Sequence, residues 1–130
     1  MLFSALFPSR KLLLAIAVMI GDKSVKEPPA CPVETTLTLI GDKWKILILR
    51  DLMPGAKRFG ELKKSVGNVS QKMLTAQLRA MEESGLLTRT AHAEVPPRVE
   101  YYTLTELGRS LQPILDAMQN WGEGYKVSLN

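Results

Sequence analysis

Apolar residues recur at three- and four-residue intervals from Phe59 through Leu62 to Val66, a spacing that places them on one face of a helix. Gly67 follows directly and fits the position after a helix end, where the backbone often turns left-handed. Ser70 comes next as an N-cap, because its hydroxyl can accept a hydrogen bond from the first free amides of another helix. The pattern therefore predicts two helices joined by a tight turn.

The second of these helices is predicted to begin at about Gln71 and to bury Leu74, Leu78 and Met81 along one stripe. Helical geometry then turns a polar, cationic and nearly acid-free face outward. Such a face suits a DNA major groove, because Gln, Lys and Arg side chains reach base edges, a Thr methyl can touch thymine, and the remaining groups can hold phosphates. The outward positions are Gln71, Lys72, Thr75, Ala76 and Arg79.

Two segments rich in β-branched and aromatic residues, 86–90 and 99–104, predict a strand pair after the second helix. The tip between them, 95–98, carries two prolines, which cannot donate to a ladder, and Arg98, which suits a narrow minor groove or its phosphates. Each element alone is equally compatible with a small helical domain bearing solvated charges. Their order predicts a mainly α fold with a small β-hairpin wing (α+β), a winged helix-turn-helix. The predicted DNA contacts are Arg58, Ser70, Gln71, Lys72, Thr75, Arg79 and Arg98.

The segment from Thr35 to Met53 predicts a helix pair interrupted at Gly41-Asp42, with Asp42 capping the second helix. Trp44 and the neighbouring aliphatic residues are predicted to be core, because no phosphate-binding group is patterned beside them. This region is interpreted as scaffold.

At the other end of the chain, Thr105 is predicted to cap a long final helix that runs to about Lys126 and is disturbed near its start by Pro113. One apolar stripe follows this helix, at Leu107, Leu111, Ile114, Leu115, Met118 and Trp121. One domain grips one half-site on DNA, whereas a dimer grips two. We therefore interpret the stripe as a candidate dimer interface, with closure of the monomer core as the alternative. The candidate interface residues are Leu111, Ile114, Leu115, Met118 and Trp121.

Several separate motifs stand in order along about the last hundred residues: Cys31-Pro32-Val33-Glu34, residues 40–45, Arg58-Phe59-Gly60-Glu61-Leu62, residues 70–75, Gly85-Leu86-Leu87, residues 94–101 and Leu104-Thr105-Glu106-Leu107-Gly108. Together they resemble the HxlR-type transcriptional regulators, small winged-helix dimers related to the MarR group. The resemblance implies a homodimeric regulator, paired through its terminal helices, that binds double-stranded operator DNA near the genes it controls.

Cys31 is the only cysteine in the 130-residue chain, so no intramolecular disulfide can form and a reducing cytoplasm is the expected compartment. The resemblance implies that a cysteine at this position senses quinones, aldehydes or oxidants in some relatives. A sensor thiol should be partly exposed, and Cys31 stands just before a helix start that Pro32 favours. Redox or electrophile sensing by Cys31 and a structural, semi-buried cysteine both remain open.

Residues 1–30 are predicted to be an N-terminal extension before a winged helix-turn-helix domain at residues 31–127. Leu12 to Ile20 resembles a short signal-peptide core, but nine apolar residues are too few to span a bilayer of roughly 30 Å, so no membrane association is expected. An extra interface helix, a misplaced start with Met19 as the true beginning, and a targeting segment are the open interpretations. Residues 23–32, with Pro28-Pro29, would form the linker.

Net charge, chain length and residue content limit the possible partners, the number of domains and the class of function. A formal net charge of +4 is compatible with a polyanionic partner, and a length of 130 residues suits one compact core. The lone His92 has no cysteine or carboxylate cluster spaced to bind a metal with it, and the glycines form no phosphate loop, so neither an enzyme, a metal nor a cofactor is predicted. The competing function is a winged-helix protein-docking module, against which Lys72 and Arg79 argue.

Overall fold

The computed structural model describes residues 29–91 and 100–130. Of these, residues 29–38 belong to one unit, and residues 39–91 and 100–130 belong to a second. Residues 1–28 of the predicted extension at residues 1–30, the linker up to Pro28, His92 and the wing tip at residues 95–98 lie outside the described residues. The elements are α1 Pro32–Ile40, α2 Lys43–Leu52, β1 Lys57–Arg58, α3 Phe59–Val66, α4 Gln71–Glu83, β2 Leu87–Ala91, β3 Glu100–Leu104, α5 Glu106–Arg109 and α6 Gln112–Ser128.

The helix-turn-helix forms where the sequence predicted it, as α3 and α4. Gly67 ends α3 with φ +114° and ψ −144°, a positive φ as expected but with extended rather than helical ψ. The Ser70 hydroxyl accepts from the Met73 amide at 3.1 Å and so caps α4. After α4, Gly85 turns the chain with φ +80°. Both ends of α4 are thus fixed by local backbone chemistry.

The sheet has three antiparallel strands in the order β1-β3-β2. The β2–β3 hairpin was predicted, and its register pairs Leu87 with Leu104 and Arg89 with Tyr102. The sequence did not predict β1, in which Lys57 pairs with Tyr102 on the other edge of β3. A strand of two residues has no alternating pattern, and its partner lies far away in the chain, so local reasoning had no signal for it.

The core joins the helix-turn-helix to its scaffold. Asp42 caps α2 as predicted, since its carboxylate accepts from the Trp44 amide at 2.8 Å. The Trp44 ring is partly buried against the core, as predicted, and the Lys43 ammonium lies 4.7 Å from its centroid. The buried residues are Ile40, Ile48, Leu49, Leu52, Leu62, Val66, Val69, Leu74, Leu78, Met81, Leu86, Leu87, Tyr102 and Leu104.

The predicted single final helix is wrong at its start. Thr105 caps only the short helix α5, its hydroxyl accepting from the Gly108 amide at 3.1 Å. Ser110 and Leu111 keep right-handed helical φ and ψ, but the Leu111 amide donates to the Gly108 carbonyl, three residues earlier, at 3.2 Å, and α6 begins at Gln112 with Pro113 in its first turn. The cause is Pro113, because proline lacks the N–H that a continuous helix would need there and its ring would clash with the carbonyl of Arg109, four residues earlier. Two helices therefore replace the predicted one.

Candidate nucleic-acid interface

The outward face of α4 has the composition that the sequence predicted. Leu74, Leu78 and Met81 are buried, with relative exposures of 0%, 2% and 0%. The Thr75 hydroxyl donates to the Gln71 carbonyl at 2.8 Å, which leaves its methyl group as the free part of that side chain. Acidic residues come only at the C-terminal end of the helix. Gln71, Lys72, Ala76 and Arg79 are exposed and Thr75 is half-buried.

Met73 is an apolar residue on α4 to which sequence analysis gave no role. It is 41% exposed, and its sulfur accepts from the Gln77 amide nitrogen at 3.4 Å. Met73 therefore leaves a soft, partly exposed apolar side chain beside the polar face of α4. The sequence could have indicated this exposure, because Met73 stands one residue before the buried Leu74 and therefore lies off the apolar stripe.

Arg58 lies outside α4, at the N-cap of α3. Its backbone amide donates to the Glu61 carboxylate at 3.0 Å, and its Nε donates to the same oxygen at 3.2 Å. These hydrogen bonds lower the pKa of Glu61 below its ordinary value, the backbone amide most of all. The predicted Arg58 contact with DNA therefore starts from a guanidinium already shared with Glu61, while the predicted Arg98 contact lies outside the described residues.

A cleft of about 240 Å³ separates α4 from the strands of the wing. Its helix side includes Gln71, Thr75 and Arg79, three of the predicted DNA contacts. Its strand side includes Arg89 and Glu100, whose guanidinium and carboxylate lie 3.8 Å apart. Arg89 was expected from the sequence to lie beside the DNA-binding face, whereas Glu100 was missed, because strand register rather than sequence spacing brings it beside Arg89. The complete lining is Phe59, Gln71, Thr75, Leu78, Arg79, Glu82, Arg89, Glu100 and Tyr102.

The apolar stripe predicted for the final helix extends from α5 to α6 and divides into two parts. Leu107, Leu111 and Leu115 are partly buried against the domain core. Ile114, Met118 and Trp121 are exposed by 37%, 47% and 71%. Every residue of α6 is described, and none of them is buried. The candidate interface residues thus serve two purposes, with Leu111 and Leu115 closing the monomer core and the other three facing outward.

An aromatic pair, only half of which was predicted, continues the outward stripe. The Trp121 and Tyr125 rings stack with centroids 5.3 Å apart and planes 10° from parallel. Tyr125 is 51% exposed and was missed, although it lies four residues after Trp121 and so on the same face. The stripe from Ile114 to Tyr125 has the successive spacings four, three and four.

A family model described as HxlR-like helix-turn-helix matches residues 39–129. The chain belongs to this family. A Bacillus subtilis protein described as an uncharacterized HTH-type transcriptional regulator, YdeP, is 49% identical over 105 residues, which cover 81% of each protein. The resemblance inferred from the motifs is therefore confirmed, and with it the identification of this HxlR-like chain as a transcriptional regulator with a helix-turn-helix.

Solved structures support the same assignment for the HxlR-like chain. The redox regulator HypR in its reduced form has a TM-score of 0.70 and 44% identity, covering 76% of this chain and 97% of that one. Its oxidized form has a TM-score of 0.67 and 47% identity, with 72% and 96% covered. A protein described as a MarR-family transcriptional regulator from Porphyromonas gingivalis W83 has a TM-score of 0.68 and 35% identity, covering 76% and 96%. The winged-helix fold and the relation to the MarR group are both confirmed.

Cys31, the predicted sensor, stands immediately before α1 in the HxlR-like chain. It is exposed, and its carbonyl accepts from the Thr35 amide at 3.0 Å, so Cys31 holds the N-cap position of the helix. The Thr35 hydroxyl also donates to this carbonyl, at 3.2 Å. A thiol at this position is open to reagents in solution.

Within the residues that the structure describes, no helix is long and apolar enough to cross a membrane.

Proposed function

We propose that the protein is a sequence-specific, DNA-binding transcriptional regulator that acts as a homodimer in the cytoplasm, with a regulatory rather than a catalytic role. The observation that carries this proposal is the outward face of α4, where Gln71, Lys72 and Arg79 are exposed together on a helix whose ends are both capped. A helix of this shape and charge fits a major groove. Phosphate contacts from its cations would give an affinity that falls steeply with salt.

Each predicted contact has a distinct task in this proposal. Gln71 and Lys72 stand in the first turn of α4, where recognition helices contact base edges. The Thr75 methyl touches a thymine methyl, since its hydroxyl is bonded to the helix backbone. Ser70 holds the helix start, and Arg79, Arg58 and Arg98 take phosphates or the minor groove.

The proposal is tested by fluorescence anisotropy of the purified protein with its own upstream DNA and with a scrambled duplex of equal length, at fixed moderate salt. Selective binding to the upstream duplex is expected. Weak binding without selectivity would contradict the proposal and favour the docking module, which shares the scaffold but needs no base contacts.

The dimer is proposed to form through the exposed stripe of α6. Ile114, Met118, Trp121 and Tyr125 leave a continuous apolar edge on a helix of 17 residues. Their alternating spacing of four and three is the spacing with which two helices pack side by side. A second copy of the chain supplies an identical stripe, so a two-fold arrangement buries both edges at once and spaces two α4 helices for successive half-sites.

Replacing Met118 with glutamate is expected to convert the dimer to a monomer, because a carboxylate would be buried among apolar side chains. Light scattering after size exclusion measures the mass, and circular dichroism checks that helicity is retained. Asn120→Glu is the matched control, since Asn120 is exposed on nearly the opposite side of α6. A dimer mass retained by Met118→Glu would contradict this interface.

Cys31 is proposed to make the regulator responsive to oxidants or electrophiles. The solved relative HypR is described as a redox regulator in both oxidized and reduced forms, and Cys31 is exposed at a helix start. With one cysteine per chain, a disulfide formed without a small thiol must join two chains. Two Cys31 thiols would form one S–S bond, while diamide accepts the two electrons and two protons and becomes the hydrazine.

Treatment with diamide is expected to give a covalent dimer on a non-reducing gel and to change the affinity for upstream DNA severalfold, with dithiothreitol reversing both effects. Cys31→Ser removes the only thiol and should abolish both responses. A parent protein that ignores diamide, or a Cys31→Ser variant that responds as the parent does, would leave Cys31 a structural residue.

A further inference from the structure

The wing carries a charged pair on the side that faces α4. Residues directly opposite in a hairpin share one face, so Arg89 lies with Tyr102, and Glu100 lies two residues along β3 on the same face. This is the face on which Leu87, Tyr102 and Leu104 are buried. Arg89 and Glu100 therefore extend the packed face of the hairpin into the cleft beside α4.

The charges in this cleft balance. Arg79 and Glu82 come from α4, and Arg89 and Glu100 come from the wing, two cations against two carboxylates. All four act electrostatically on the Tyr102 hydroxyl, whose pKa is raised first by burial and then by Glu100. The four groups thus act on one side chain, and the cleft carries no net charge that would attract a phosphate.

The Arg89–Glu100 pair is nevertheless easily opened. The two charged atoms are 3.8 Å apart, longer than a charge-assisted hydrogen bond, and each side chain is 45% exposed. Exposed pairs of this kind contribute little stability. A DNA phosphate that can be held at hydrogen-bond distance by the guanidinium would displace the carboxylate.

We propose that Arg89 is a further phosphate-binding residue of the DNA interface and that Glu100 holds it back until the backbone of a fitted site displaces the carboxylate. This inference rests on the proposed function and adds a selectivity device to it. A poorly fitted duplex leaves Arg89 paired with Glu100, so Arg89 adds no affinity for that duplex. A duplex seated on α4 brings a phosphate to the wing and recruits Arg89, so selectivity comes from a residue that contacts no base.

The experiment measures anisotropy of the full-length parent and its variants with the upstream duplex and the scrambled duplex over a range of salt. Glu100→Gln frees Arg89 and is expected to raise affinity for the scrambled duplex by about three- to fivefold, and for the upstream duplex by less. Arg89→Gln is expected to weaken binding to the upstream duplex and to lower the slope of log affinity against log salt by about 0.9, the value for one phosphate contact.

Two comparisons separate a specific release of Arg89 from a general change of charge. Glu123→Gln makes the same charge change on α6, where Glu123 is exposed and accepts from Gln119, and should leave selectivity unchanged. In an Arg89→Gln background, Glu100→Gln should bring no gain, because there is no guanidinium left to release.

The other outcomes distinguish failure of this inference from failure of the proposed function. A gain by Glu100→Gln that equals that of Glu123→Gln, or that survives in the Arg89→Gln background, would overturn the inference while selective binding by the parent upheld the proposed function. A parent that binds both duplexes equally would overturn the proposed function and this inference with it.

Discussion

Lys72→Glu is expected to lower affinity for upstream DNA by about a hundredfold, because it removes a favourable contact worth about 1–3 kcal/mol and places a carboxylate against the phosphates. Lys72 is exposed in the first turn of α4 and belongs to no buried cluster, so the fold should be unaffected. Anisotropy with the upstream duplex measures the affinity, and thermal unfolding verifies the fold.

Lys126→Glu provides the matched control for that experiment. Lys126 is exposed in the last turn of α6, so its replacement by glutamate makes the same change in net charge on a different helix. It should lower affinity only by the small amount that a distant charge contributes in moderate salt. Equal losses in the two variants would mean that net charge, and not the face of α4, governs binding.

Gly108→Ala is expected to destabilise the fold by about 3 kcal/mol, a large part of the total stability of a small domain. Gly108 is buried in α5, and a Cβ there would collide with the Leu86 backbone carbonyl and come within 3.2 Å of the Leu104 side chain. The collision is with backbone, and the Leu86 carbonyl already accepts from the Thr105 amide at 3.0 Å. Relief would require shifting the junction between the sheet and α5.

Chemical denaturation measures the free energy of unfolding, with Gly124→Ala as the comparison. Gly124 lies in the interior of α6, and a Cβ there would meet no atom within 4 Å. Alanine should therefore stabilise that helix by up to about 1 kcal/mol through its higher helix propensity. A Gly108→Ala protein as stable as the parent would contradict the tight packing of α5 against the sheet.

The elements that the sequence predicts correctly are those whose determinants lie close together in the chain. The helix-turn-helix was predictable because the Ser70 cap, the glycine at position 67 and the Leu74, Leu78 and Met81 stripe all act within a few residues of one another. The hairpin was predictable for the same reason. These local signals agreed with one another, which is what makes a segment predictable without its surroundings.

The parts that sequence analysis missed depend on distant partners. Strand β1 exists because Lys57 meets Tyr102, and the cleft exists because β3 places Glu100 beside Arg89. The single final helix failed for a local reason whose strength was underestimated, namely Pro113. The division of the α6 stripe could not be read from spacing alone, because Leu115 and Met118 are both apolar and only packing separates them.

The capped ends and the narrow buried stripe of α4 also bear on how such regulators diversify. The start of α4 depends on Ser70, its end depends on Gly85, and its packing depends on three buried side chains. None of these residues has to change when the outward residues change. The outward positions can therefore be exchanged as a set while the scaffold stays constant. A chain built in this way is suited to acquiring new operators by exchanging a few surface side chains.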